Sequence, residues 1–220
     1  MNQINILLRK EIDSLLVRYP SLTICKENIL NAFHLLSNCF HNKGLIMVCG
    51  NGGSAADADH IVGELMKSFN VKRPISQEQR LLFKDSFPDD YEYFSENLQQ
   101  AIPAISLASQ TSLTTAFIND VQANLVYAQM VFGYGKSGDA LIGLSTSGKS
   151  KNVVNACKVA KSLGIKTIAF TGEHESRLSE ICDVTIRVPA QEVFQIQEYH
   201  LPVYHTLCSM LEIEAFTKNK

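Results

Sequence analysis

The sequence predicts a three-layer α/β protein, a parallel sheet flanked by helices and preceded by an N-terminal helical extension. Short continuous apolar runs recur along the 220 residues, as strands buried on both faces require. Stretches of helical periodicity follow them in alternation, the pattern of parallel βαβ units. Hydrophobic residues make up 45% of the chain, enough for a sizeable core and too many for a disordered one.

In chain order, Ile4, Leu7, Leu8, Ile12 and Leu15 recur at helical spacing until Pro20 breaks the pattern. Ile29, Leu30, Phe33, Leu36 and Phe40 form a second helical run that ends near Gly44. Residues 1–44 are thus the expected extension and 45–220 the main domain. Leu45–Cys49 is the first buried strand, and Gly50-Asn51-Gly52-Gly53-Ser54 a tight turn into a helix over Ala55–Ser68, with Ser54 near its N-cap. Ala104–Ala108 reads as a strand, followed by helix from about Thr111. Ala140–Leu144 is a strand, Asn152–Leu163 a helix stopped by Gly164, and Lys166–Phe170 and Val184–Val188 further strands. Phe194–Phe216 closes the chain as a long helix. The stretch 69–100, acidic and aromatic, breaks the rhythm and is too long for an ordinary connection. It reads either as a surface insertion or as a lid over a ligand.

A formal net charge of −2 with scattered Lys and Arg argues against a nucleic-acid binder. No apolar stretch has the length of a membrane span, and Met1–Lys10 is unlike a secretory signal, so a cytoplasmic location is expected. The six cysteines lie far apart, mostly within apolar segments, and are expected to be buried reduced thiols.

Chemistry is concentrated at strand ends. Ser145-Thr146-Ser147-Gly148-Lys149-Ser150 follows a buried strand and leads into a helix. The first N–H groups of that helix lack internal partners, and a phosphate can accept them while the hydroxyls donate further. Gly148 allows close approach of the backbone. A hydroxyl-rich N-cap without a ligand is the plainer reading, but four hydroxyls exceed what a cap requires. Read from Gly143, the letters also fit the Walker pattern; the later strands, however, end without the acidic residue that would hold magnesium. The turn at Gly50–Ser54 is a second loop at another strand end, which suggests a ligand longer than a phosphate.

These segments resemble the sugar isomerase (SIS) domain family, most closely its phosphoheptose (sedoheptulose 7-phosphate) isomerases. The matching residues are Cys49–His60 with Glu64, Asn119-Asp120, Ser145–Ser150, and Gln197-Glu198 with His205. The resemblance implies the SIS fold with flavodoxin-like topology and an aldose-ketose isomerase joining sedoheptulose 7-phosphate to D-glycero-D-manno-heptose 7-phosphate for lipopolysaccharide or other surface heptose. It implies a homotetramer with active sites at subunit interfaces. By position, Ser145, Thr146, Ser147 and Ser150 would hold the phosphate, and Asn51, Gly52, Gly53, Ser54, Asn119, Asp120 and Gln197 would meet the substrate. Glu64 and His205 would be the acid/base pair, and His60, Glu64, Gln197 and His205 a zinc set. The sequence departs from the family in having Lys149 where Asn is usual, in the longer 69–100 region, and in Pro202 within the last helix. A non-catalytic SIS scaffold, binding a sugar phosphate or a replication initiator, is the alternative, as is isomerisation of another ketose phosphate.

The chemistry suits these residues. Isomerisation needs a base next to a carbonyl and a group to stabilise the enediolate, tasks for a carboxylate and an imidazole, and a divalent metal can polarise the two oxygens. His60 and Glu64 are four apart and share a helix face, fit either for joint metal binding or for a base beside an orienting imidazole. Gln197 and His205 are eight apart, about 12 Å along a straight helix, and converge only if Gln197 precedes the regular helix or Pro202 bends it. His205 could also be a core or interface histidine, and His200 is expected to be exposed or at an interface.

Overall fold

The computed structural model describes residues 3–217. Helices α1 (Gln3–Arg18) and α2 (Lys26–His41) flank a 3-10 turn at Pro20–Cys25. Then follow β1 (Ile46–Cys49), α3 (Gly53–Met66), α4 (Gln77–Ser86), α5 (Tyr91–Asn97), β2 (Ala104–Ser106), α6 (Thr111–Asp120) and α7 (Val126–Tyr134). The chain ends with β3 (Ala140–Leu144), α8 (Lys151–Ser162), β4 (Lys166–Thr171), α9 (Arg177–Ile181), β5 (Val184–Arg187) and α10 (Val193–Phe216). The five strands form one parallel sheet in the order β2-β1-β3-β4-β5. This is the flavodoxin-like order, with its switch point between β1 and β3.

Every residue of β1 and β3 is buried, as their unbroken apolar runs require, whereas β2 and β5, at the edges, are half-buried. Alternate side chains feed two cores. Ile46, Val48, Ile142, Ile168 and Phe170 pack with Leu15, Ile29, Phe33 and Leu36 of the N-terminal helices and with Val203, Leu207 and Leu211 of α10. Met47, Cys49, Leu141 and Ala169 pack on the other face with Met130, Val131, Val153 and Cys157. The N-terminal helices therefore share their core with the sheet. All six cysteines are free thiols, five of them buried.

The 69–100 region contains two helices rather than irregular chain. A capping box of Ser76 and Gln79 starts α4, and Phe83 meets Phe94 across the pair with ring centroids 5.6 Å apart. The hairpin is pinned at its base by an antiparallel bridge between Pro74 and Gln99 and by a 2.8 Å bond from Gln100 N to Arg73 O.

Below it lies a buried ion pair. Arg73 donates through Nε to Glu212 Oε1 at 2.7 Å, and both side chains are fully buried. Its guanidinium also takes the carbonyls of Glu64 (3.0 Å) and Leu65 (2.6 Å), which the end of α3 leaves free. Glu212 in turn accepts the backbone N–H groups of Phe69, Asn70 and Val71. The pair thus ties the C-terminus of α3 to α10.

Helix α10 continues through Pro202, and Thr206 Oγ1 bonds back to the Pro202 carbonyl at 2.8 Å. His200 on this helix corrects the sequence expectation: it is not exposed but completely buried, edge-on to Phe170 and 3.4 Å from Thr171 O. One turn before the apolar run of α10, it faces the sheet, and burial pushes its pKa down to about 4.

Candidate functional site

The glycine and serine loops stand at the carboxyl ends of β1 and β3, neighbours in the sheet. Gly52, at φ 57°, is the N-cap of α3, and no side chain caps that helix, so Ser54 is not its cap but a buried residue of the first turn. Gly50 lies directly under Ser54, where a Cβ would meet the Ser54 carbonyl carbon at 2.7 Å. Tyr127 Oη donates to Gly50 O at 2.6 Å and anchors the loop from the opposite face.

In the serine loop, Gly148 adopts φ 62° and packs so closely on Ser176 that no side chain fits. Ser145 is buried with its Oγ 2.9 Å from Ser150 Oγ; Thr146 and Ser147 reach toward solvent, and Ser147 Oγ accepts from Lys149 N at 3.2 Å. Ser150 occupies the N-cap position of α8 without a side-chain capping bond. That leaves the hydroxyls for a purpose other than capping. Thr146, Ser147 and Lys149 line a cleft of about 210 Å³ shared with Gly172, Glu173, His174 and Gln191. The loops are joined by Asn152, whose amide exchanges two hydrogen bonds (2.8 and 3.0 Å) with that of Asn51.

A second constellation lies farther along α3. His60 Nε2 is 3.3 Å from Glu64 Oε1 and 3.3 Å from His205 Nε2. His60 Nδ1 is 3.0 Å from Tyr204 Oη, which donates to Asp57 Oδ1 at 3.2 Å. Phe69 covers the His205 ring at 5.5 Å, and Lys67 Nζ lies 3.3 Å from Glu64 Oε2. Burial, reinforced by His60, lowers the pKa of His205 and favours its neutral form. Burial also raises the pKa of Asp57, against the opposing pull of Tyr204 and His60. Desolvation and the Asp57 charge raise that of Tyr204.

Gln197 is elsewhere. Its amide packs on Gly53, where a Cβ would meet Nε2 at 2.7 Å. The contacts Gly53–Gln197 and His60–His205 advance by seven residues on α3 and eight on α10, so the two helices run side by side in the same direction. Gln197 and His205 therefore point at opposite ends of this helix pair, and one chain brings together His60, Glu64 and His205 without Gln197. Among the described residues, no group of three or more His, Cys, Asp and Glu side chains is arranged to hold a metal ion. Glu64 follows Gly53 by eleven residues, about 16 Å along α3, so one chain does not bring the cluster to its own glycine loop. Asn119 donates to Asp120 at 2.8 Å at the end of α6, and both are exposed.

Four residues of these two sites, Asp57, Tyr204, Asn152 and Phe69, have no assigned role in the sequence motifs. Asp57 shares a helix face with His60 and Glu64, and that spacing is a usable signal. Tyr204, Asn152 and Phe69 carry no such signal, because only tertiary packing brings them to their partners.

The sequence profile of the SIS domain matches residues 21–96 and 93–172. A phosphoheptose isomerase of a Nitratiruptor species is 38% identical over 84% of this chain and 85% of its own length. The structure of a phosphoheptose isomerase from Neisseria gonorrhoeae superposes with a TM-score of 0.68 at 30% identity, covering 94% of this chain and 92% of that one. The structure of another, from Francisella tularensis, does so with a TM-score of 0.72 at 26% identity, covering 96% and 98%. The chain belongs to the SIS domain family, among the phosphoheptose isomerases.

Proposed function

We propose that the protein is an aldose-ketose isomerase that interconverts sedoheptulose 7-phosphate and D-glycero-D-manno-heptose 7-phosphate through an enediolate. The observation that carries this reading is the meeting of Glu64 and His205 at His60, through 3.3 Å contacts on two paired helices. A scaffold that only binds a sugar phosphate has no chemical need for that arrangement, and the relatives do not favour it. Glu64 takes the proton from C1 of the ketose and returns it to C2. His205, kept neutral by burial, gives a proton to O2 and receives one from O1. Ser145, Thr146, Ser147 and Ser150, with the free N–H groups of α8, hold the phosphate. Lys149 adds a positive charge to the same cleft. Asn51, Gly52, Gly53, Ser54 and Gln197 meet the sugar.

The distance of about 16 Å between the glycine loop and Glu64 on one helix supports a site completed by a second copy of the chain. Leu113 and Ile118 on α6, Val121 and Leu125 after it, and Phe132 on α7 are exposed apolar side chains, and Asn119 and Asp120 close α6. We assign that face to a homotetramer in which Asn119 and Asp120 reach a neighbour's substrate. No helix among the described residues is long and apolar enough to cross a membrane.

Zinc is part of the proposal. His60 Nε2 stands 3.3 Å from an imidazole nitrogen and 3.3 Å from a carboxylate oxygen. Those separations match the edge of a tetrahedron with zinc–ligand bonds of about 2.0–2.1 Å. His60, Glu64 and His205 would have to close in to hold the ion, and Glu64 and His205 would have to leave it to act on a proton; Gln197 would join only from another place than the one it takes beside Gly53. When bound, zinc would polarise the carbonyl oxygen as a Lewis acid.

Proton NMR of sedoheptulose 7-phosphate in heavy water tests substrate and chemistry together. Loss of a carbon-bound proton signal with formation of the aldose is expected, slowed by chelator. Binding without any carbon-proton exchange would reject the isomerase reading.

A further inference from the structure

His60 is the hub of the cluster, and its two ring nitrogens meet different neighbours. Nε2 faces Glu64 and His205; Nδ1 faces only Tyr204 Oη, at 3.0 Å. A phenol has one hydrogen to donate. In Tyr204 that hydrogen goes to Asp57 Oδ1 at 3.2 Å, and an ionised carboxylate accepts only. With that hydrogen on Asp57, the phenol oxygen accepts and Nδ1 is the donor; the competing form, in which Nε2–H donates to Glu64 Oε1 at 3.3 Å and Tyr204 donates to Nδ1, leaves Asp57 without any partner. Asp57 has a strong claim on the hydroxyl, because its other oxygen, Oδ2, is buried with no hydrogen-bond partner. The rings are held for this geometry: Tyr204 stands edge-on to His60 at 5.5 Å and 74°, and His205 at 4.9 Å and 82°.

We infer that Asp57 and Tyr204 are positioning residues that keep a proton on Nδ1 of His60, and so present its Nε2 to Glu64 and His205. The inference rests on the proposed role of this cluster as the reacting centre and extends it to two residues that touch neither substrate nor ion. A nitrogen that has surrendered its proton choice to a hydroxyl–carboxylate relay offers its partner nitrogen either as a lone pair for a divalent cation or as a site for one exchangeable proton. In metal centres, this outer support commonly governs affinity by about 10–100-fold.

Two measurements on the full-length chain test the inference. The first is a long-range proton–nitrogen NMR correlation on histidine-labelled protein without metal or substrate, at about pH 8, above the ordinary imidazole range. His60 is assigned by the signal lost in His60→Asn. The Nδ1–H form is expected in the native protein, with loss of that preference in Tyr204→Phe, which keeps the buried ring and removes only the hydroxyl. The second is zinc affinity by competition with a chromophoric chelator, expected to fall about 10–100-fold in Tyr204→Phe. Thr206→Val, which deletes a buried hydroxyl from the same helix, should change neither. A native His60 protonated on Nε2 and bare on Nδ1 overturns the inference, as does a Tyr204→Phe protein with unchanged tautomer. The tautomer decides the matter even if zinc binds neither protein. It is read without substrate, so a failed turnover assay alongside the expected tautomer would reject the isomerase reading and leave this one standing.

Discussion

In the serine loop, six consecutive residues carry the groups proposed to hold the phosphate, whereas the histidine cluster draws Asp57, His60 and Glu64 from α3 and Tyr204 and His205 from α10. His60 and His205 are 145 residues apart in the chain. The loop is shaped by local constraints: a strand end, a glycine at φ 62° and the first turn of α8. The cluster exists only because α3 and α10 pack in one register, and that register is held by interactions outside the cluster. The difference teaches where each half is vulnerable. A loop of this kind fails by losing its own atoms; a cluster across two helices also fails when their alignment slips.

The sharpest way to separate chemistry from assembly is Glu64→Gln, which preserves shape and removes the proposed base. We expect kcat to fall by about 10²–10⁴-fold with KM and thermal stability little changed. Near-normal turnover would remove Glu64 from the reaction. The alignment itself is attacked by Arg73→Met, which leaves Glu212 buried without its counter-charge. A loss of about 3–5 kcal/mol in urea unfolding is expected, with kcat reduced through misplacement of α3. A drop below about 1 kcal/mol would show that the register does not depend on this pair.

His200 links the two regions, since it bonds to Thr171 O at the end of β4 while the next residue, Gly172, donates to Thr146 O in the serine loop. Its pKa falls from 6.5 to about 4 on folding, so the unfolded chain binds that proton more readily. Stability from this group is complete above about pH 6.5 and declines as the pH drops toward 4, by about 3 kcal/mol. In His200→Gln that part of the acid slope should vanish in denaturation series at several pH values. An identical slope would assign the acid lability to other groups.

The smallest effect is expected on the loop side. Asn152→Ala breaks the amide pair with Asn51 and should cost about 0.5–1.5 kcal/mol, with a several-fold rise in KM and an unchanged kcat. In a double-mutant cycle with Asn51→Ala, the two losses should be less than additive. Full additivity would mean that the pair does not join the loops.

Much of this architecture is legible in the order of residues. The apolar runs of β1 and β3 read as buried strands because consecutive residues alone decide whether both faces can be buried. The serine loop reads as a phosphate site because a helix N-terminus after a strand is a local object. The family resemblance, carried by the spacing of short motifs, names Glu64 and His205 together. What periodicity does not reach is side-chain burial dictated by distant elements: His200 reads as exposed or at an interface and is buried against Phe170 within the chain. The 69–100 stretch reads as a surface insertion or a lid, and its two helices bury no apolar side chain: Leu81, Leu82 and Tyr93 stay exposed.

The sequence by itself determined the strand–loop–helix units and the chemistry written within single segments, since those depend on neighbours a few residues away. Only the tertiary structure decided which helix lies beside which, in what direction and register. That choice separated Gln197 from His205, recruited Tyr204 and Asp57 to His60, and buried Arg73 against Glu212. Its physical reason is that side-chain packing between remote segments, with the need to pair every buried polar group, selects one alignment among many that local patterns would allow.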